Sequence, residues 1–219
     1  MKLPLNFLIV FLLVILVGPI QASQWDSEYW QSLTVKNWEK GSCKLYTAFE
    51  TRLNRDHSRF NYYRISENFA YQALPDLSFE AHYSFLYSKS HGASRFLNSN
   101  RLEFEMNPSL NLSKGIVWRW RNRLELIKRQ GISPIRFVFR HRFMTVFSIK
   151  SGPLSSVNVY DEFHYDFSTK KITQNRFVPI ELSFIVNRYL SIDLFFMIRN
   201  FFTSNQWYRS MVAGSEINF

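Results

Sequence analysis

A chain of 219 residues with 27 lysines and arginines against 17 carboxylates carries a formal charge of +10, and its 22 phenylalanines, 11 tyrosines and 6 tryptophans stand against only 7 glycines and 7 prolines. The one cysteine, Cys43, excludes an internally disulfide-stapled domain. The arginines fall within alternating segments and not in a tail or basic helix, which speaks against nucleic acid as the partner. So large an aromatic load belongs in a core or in the interfacial girdles of a membrane barrel.

The chain opens on Lys2, an apolar run from Leu3 to Val17, then Gly18, Pro19 and Ala22. This layout predicts a secretory signal peptide over residues 1–22, cut between Ala22 and Ser23. No later apolar run approaches the about 18 residues of a spanning helix. Residues 23–41 read as an N-terminal lead of unsettled role. If "WQSLTVK" within it were a strand, the count of strands would rise to twelve.

Ten segments then alternate with period two. Residues 44–53 set Glu50 and Arg52 against Leu45, Phe49 and Leu53, and residues 61–73 set Arg64, Ser66 and Asn68 against Tyr63, Ile65 and Phe69. In 77–87, Glu80, His82 and Ser84 oppose Phe79, Tyr83 and Phe85, and in 101–112, Arg101, Glu103 and Glu105 oppose Leu102, Phe104 and Met106. In 116–128, Arg119, Arg121, Arg123 and Glu125 face away from Trp118, Trp120, Leu124 and Leu126, and 135–147 repeats the device with Arg136, Arg140 and Arg142. Segment 156–167 separates Glu162, His164 and Asp166 from Phe163, Tyr165 and Phe167. Segment 172–186 is irregular, since Arg176 and Glu181 differ in parity, and a bulge near Val178-Pro179 would reconcile them. Segments 190–201, with Asp193 and Arg199 on the polar face, and 206–219 complete the set.

The connections alternate between short ones (74–76, 113–115, 150–154, 187–189) and longer, more charged ones (54–59, 88–100, 129–133, 168–171, 202–206). Short turns at one rim and long loops at the other characterise a transmembrane barrel, with the long loops extracellular. A soluble sandwich would bury the apolar faces against a second sheet. The barrel instead turns them to lipid and points the charges into the lumen. The expectation is an all-β antiparallel transmembrane barrel of about ten strands over 42–219. Its lumen charges are Arg64, Glu80, Arg101, Glu103, Glu105, Arg119, Arg121, Arg123, Glu125, Arg136, Arg140, Arg142, Glu162 and Arg199, largely paired in a narrow or plugged lumen. Glu67, Asn122, His141 and Asp161 fall on the lipid parity, and bulges or rim positions are expected to accommodate them.

The end "RSMVAGSEINF" resembles the C-terminal recognition strand of bacterial outer-membrane barrels, through Gly214, Ile217 and the terminal Phe219. Val212 departs from that pattern, where a polar residue is usual. The resemblance implies contact with the barrel-assembly machinery, outer-membrane lipids as the surroundings and the outer membrane of a Gram-negative-type envelope as the location. Through "QWDSEYWQSLTVKNW", "ETRLNRDHSRFNYYRI", "RWRNRLELI", "VYDEFHYD" and "QNRFVPIELSF", residues 25–219 also resemble an uncharacterised family of bacterial outer-membrane barrels, catalogued as a domain of unknown function. That family implies a fold and a location, and no activity.

No Gly-rich phosphate loop, Cys/His metal cluster or nucleophile elbow appears, so neither cofactor nor metal is expected. The expected role is structural, or that of a narrow, porin-like pore preferring anions through the arginines of segments 116–128 and 135–147. The alternative is a lipid or peptide hydrolase built on His82, Ser84, His164 and Glu162 in the lumen.

Overall fold

The computed structural model describes residues 25–54, 59–89, 95–132, 134–149, 152–203 and 205–219. The predicted signal peptide, and parts of the predicted loops at 54–59 and 88–100, lie outside the described residues. Eleven strands follow in chain order: β1 (Trp25–Lys40), β2 (Cys43–Asn54), β3 (Arg59–Leu74), β4 (Leu77–Ser88), β5 (Leu97–Ser113), β6 (Ile116–Arg129), β7 (Arg136–Ser148), β8 (Leu154–Asp166), β9 (Lys171–Asn187), β10 (Leu190–Thr203) and β11 (Gln206–Asn218). Each strand pairs with its chain neighbours, and β1 pairs with β11 to close the barrel. Among the described residues there is no helix long and apolar enough to cross a membrane.

The N-terminal stretch corrects two expectations. Within the expected lead at 23–41, Trp25–Lys40 does not lie outside the barrel but forms β1. That extra strand does not bring a twelfth with it. β1 runs parallel to β11, from Trp25↔Arg209 to Thr34↔Asn218, while every other pair is antiparallel. An odd ring of up-and-down strands must contain one parallel pair, whereas single-chain bacterial barrels usually have even counts. The backbone bonds of this seam include Phe219 N–H to the Thr34 carbonyl, at 2.8 Å, and Lys36 N–H to the Phe219 carbonyl, at 3.0 Å. The last residue of the chain thus stitches β1 into place.

Most hairpins sort as the sequence predicts, but the connection expected to be long at 202–206 is a two-residue turn, because β10 and β11 stay paired out to Thr203 and Gln206. At one rim, two-residue turns join β1 to β2 (Gly41-Ser42), β3 to β4 (Pro75-Asp76), β5 to β6 (Lys114-Gly115) and β9 to β10 (Arg188-Tyr189). Gly41 and Gly115 adopt φ of 58° and 95°, a left-handed conformation that glycine reaches without a Cβ clash. β11 ends at this short-turn rim and β1 begins at the opposite one. The bulge in β9 is present: Tyr160 pairs with Val178 but Asn158 pairs with Glu181, and Ile198 pairs with Phe177 but Phe196 with Ile180. The extra residue restores Arg176 and Glu181 to one face.

The barrel is inside out relative to a soluble domain. Glu103, Glu162, Ser66, Ser84 and Ser210 are among its most buried side chains, while Phe69, Tyr83, Phe104, Leu110, Phe137 and Leu194 are exposed on the exterior. The four charged or polar residues of lipid parity are not reoriented by bulges; they face outward and find partners there. Glu67 accepts from Thr47, His141 Nδ1 lies 2.7 Å from Asn122 Oδ1, and Asp161 accepts from Asn175 at 2.6 Å. A cross-strand hydrogen bond satisfies each group where a change of register would have disturbed its neighbours.

Candidate functional site

The lumen encloses a cavity of about 960 Å³, whose lining runs from Asp76 and Ser109 at the short-turn rim to Lys89 and Thr203 at the other. Thirteen cationic side chains and nine carboxylates line it, so its wall carries a surplus of positive charge.

The predicted lumen charges do come together, through pairings that span strands. Glu50 bridges Arg52 at 2.6 Å and Arg64 at 3.1 Å, and Arg64 approaches Glu103 at 3.9 Å. Glu103 takes Arg101 and Arg123, each at 3.2 Å, and Glu125 takes Arg140 at 2.6 Å and Arg101 at 3.5 Å. Glu162 ends the series. It is fully buried and meets Arg140 at 2.6 Å, Arg142 at 2.9 Å, His164 at 3.0 Å, Arg176 at 3.4 Å and also Arg121. Elsewhere Arg136 pairs with Asp166 at 2.5 Å and Arg199 with Glu28 at 2.8 Å.

The register explains why these links are diagonal. Arg121 lies directly opposite Arg142, Arg123 opposite Arg140, and Glu103 opposite Glu125. Like charges facing each other repel, so each pair shares a counter-charge from the next strand or the next layer. Glu162 serves both arginine pairs in this way, through Arg121, Arg142 and Arg140. The arginines expected to select anions are therefore mostly committed to carboxylates. Arg119 is different: it is exposed to the cavity and has no carboxylate within ion-pair distance among the described residues.

Trp30 and Arg176 also line the lumen wall, beyond the expected lumen charges, and Arg52 lines it on the polar face where the sequence places it. Arg52 is sandwiched between the Trp30 ring, at 3.6 Å, and the Tyr62 ring, at 4.1 Å, and Arg176 and Arg199 lie 5.1 and 5.7 Å from the same indole. Trp30 Nε1 donates to Glu28 at 2.8 Å. The signal lies in the even-numbered positions Glu28, Trp30 and Ser32, but aromatic residues in such a barrel are expected on the lipid side, and the weak alternation of this stretch reads as a lead. Inward aromatics also include Tyr160, which packs with Trp30, Val178, Met197 and Val212 into an apolar wedge within the lumen.

The hydrolase candidates do not form a catalytic set. His82 and Ser84 sit two apart on β4, but no serine or cysteine hydrogen-bonds to His82 or His164 among the described residues, and the His164 Nε2 partner is Glu162. Acyl transfer needs a nucleophile within reach of a base.

The residues of the expected assembly signal make local contacts. A Cβ at Gly214 would overlap the Phe195 ring and lie 2.7 Å from the Trp30 carbonyl oxygen. Ile217 lies between Leu33 and Ile192 at the seam, and Phe219 bonds to β1. Val212, the departure from the recognition pattern, is fully buried in the apolar wedge.

A family model described as a protein of unknown function (DUF2490) matches residues 27–210, and the chain belongs to that family. No curated protein and no solved structure matches it.

Proposed function

We propose that this member of the family is a bacterial outer-membrane β-barrel whose arginine-rich lumen is a narrow, anion-preferring passage. The observation that carries the reading is the inversion of the barrel: eighteen buried side chains are polar or charged against ten that are hydrophobic, while the exterior is aliphatic and aromatic. In water that exterior would expose far more contiguous apolar surface than soluble monomers tolerate. In a bilayer it meets hydrocarbon, and closure leaves no unpaired strand edge.

In the proposed orientation the short-turn rim and Phe219 face the periplasm and the longer connections face outward. The positive surplus of the wall favours anions, and the apolar wedge against β8–β11 restricts the bore. Planar-bilayer recordings on the folded chain under a salt gradient test the reading. Discrete steps whose reversal potential lies toward the anion equilibrium value support it. Silence or cation preference from protein with the heat-modifiable mobility of a folded barrel rejects the passage, and failure to fold into bilayers rejects the membrane assignment itself.

A further inference from the structure

We infer that Glu80 and His82 of β4, with Glu105 of β5, form a binding site for one divalent transition-metal cation of the zinc class on the lumen wall. Glu80 lies directly opposite Glu105, and His82 is two residues further along the same inward face. One ligand atom from each comes within 4.8 Å of the others, and no other such group occurs among the described residues. His82 Nε2 is 3.2 Å from Glu105 Oε1 and 3.5 Å from Glu80 Oε2. Metal bonds of about 2.0–2.2 Å in a tetrahedron place ligand atoms about 3.3–3.6 Å apart.

The imidazole is set for this role. Asn68 Nδ2 donates to the carbonyl oxygens of Tyr46 and Ser66, each at 3.1 Å, which leaves Asn68 Oδ1 to face His82 Nδ1 at 2.5 Å. An amide oxygen accepts only, so Nδ1 carries the hydrogen, and in the neutral ring Nε2 presents its lone pair to the two carboxylates. Outer partners of this kind hold the ring of metal-bound histidines. His82 is 95 % buried, and its Nε2 has no hydrogen-bond partner. Three acceptors converging on one point repel unless a proton or a metal cation lies between them.

The facing pairs Arg121/Arg142 and Glu103/Glu125 each share an opposite charge, but among the described residues Glu80 has no lysine or arginine at ion-pair distance; Tyr46 donates to it at 2.6 Å and Asn107 at 3.1 Å. Arg123 touches Glu105, and it also holds Glu103 at 3.2 Å, a carboxylate to which it can withdraw when an ion enters. His164 makes the contrast. Its Nε2 is hydrogen-bonded to Glu162 amid four arginines, surroundings that repel a cation. The imidazole donor selects zinc-class ions over calcium and magnesium, which favour all-oxygen shells. The three side chains line the cavity, so the remaining coordination position opens to it.

The test uses the full chain folded in detergent micelles, stripped with chelator and titrated with Zn²⁺ under equilibrium dialysis, with Co²⁺ absorption as a report on the ligand set. One Zn²⁺ per folded chain is expected, with a Co²⁺ d–d spectrum of nitrogen and oxygen ligation. Affinity should fall at least tenfold in His82→Ala and Glu105→Gln, and about tenfold in Asn68→Ala, which keeps all three ligands. A hundredfold excess of Ca²⁺ should not displace Zn²⁺. Wild-type protein with heat-modifiable mobility that retains less than a tenth of an ion per chain overturns the site, as does undiminished binding by whichever of the variants fold. Displacement by Ca²⁺ overturns the zinc-class assignment.

Discussion

Two adjacent layers of the lumen, one two-residue step apart along β7, β8 and β9, are built on opposite principles. In the first, Arg142, Glu162 and Arg176 lie side by side; in the second, Met144, Tyr160 and Val178 do. The first is held by one carboxylate among several cations, the second by close packing that extends to Met197, Val212 and Trp30. Arg142 joins them, its guanidinium 4.1 Å over the Tyr160 ring. The difference shows how a barrel too small to be all wall divides its interior. Charges need partners that converge from several strands, and where the register supplies none, apolar side chains fill the space.

Glu162→Gln should break the charged layer most severely. It leaves Arg121, Arg140, Arg142 and Arg176 without their shared anion, and removing one partner from a buried ionic cluster costs about 3–5 kcal/mol. Guanidinium unfolding of the micelle-folded barrel would read the loss, and a midpoint equal to wild type would mean that water already neutralises this layer. Met197→Ala attacks the apolar layer, where the residue is 2 % exposed, and should cost about 2–5 kcal/mol through lost burial and a cavity. Urea has to show the same order of loss at low and high salt, since charge screening acts on the first layer and not on the second.

Gly214→Ala sharpens the boundary between the wedge and the seam. The new methyl meets the Phe195 ring, which can turn aside, and the Trp30 carbonyl, which cannot, so a loss of about 1–3 kcal/mol is expected. Adding Phe195→Leu should recover part of it, as scored by the folded fraction on unheated gels. Full recovery would show that the β1–β11 backbone contact imposes no constraint. The smallest effect on stability belongs to Arg119→Glu, within about 0.5 kcal/mol for an exposed, unpaired side chain. Its effect on reversal potential should be the largest of the lumen arginines, a ranking that Arg121→Glu with the greater shift would reverse.

Much of this architecture can be read without coordinates. The inward positions of Glu103, Arg121, Arg140 and Glu162 follow from period two alone, and the β9 bulge follows from the parity conflict between Arg176 and Glu181. β1 escaped because its pattern is weak and its closing partner lies at the far end of the chain. The pairing of charges escaped because parity names a face and not a neighbour. Asn68, which fixes the His82 tautomer, looks in the sequence like any other inward polar residue.

What the amino-acid order determined by itself is therefore local: which residues alternate, where the chain turns, and which side of each strand is polar, since these depend on neighbours two or three positions away. The tertiary structure decided the number of strands, the parallel seam, and which charges share which partner. Those depend on register and closure, which link residues such as Trp30 and Gly214, or His82 and Glu105, that no short-range pattern connects.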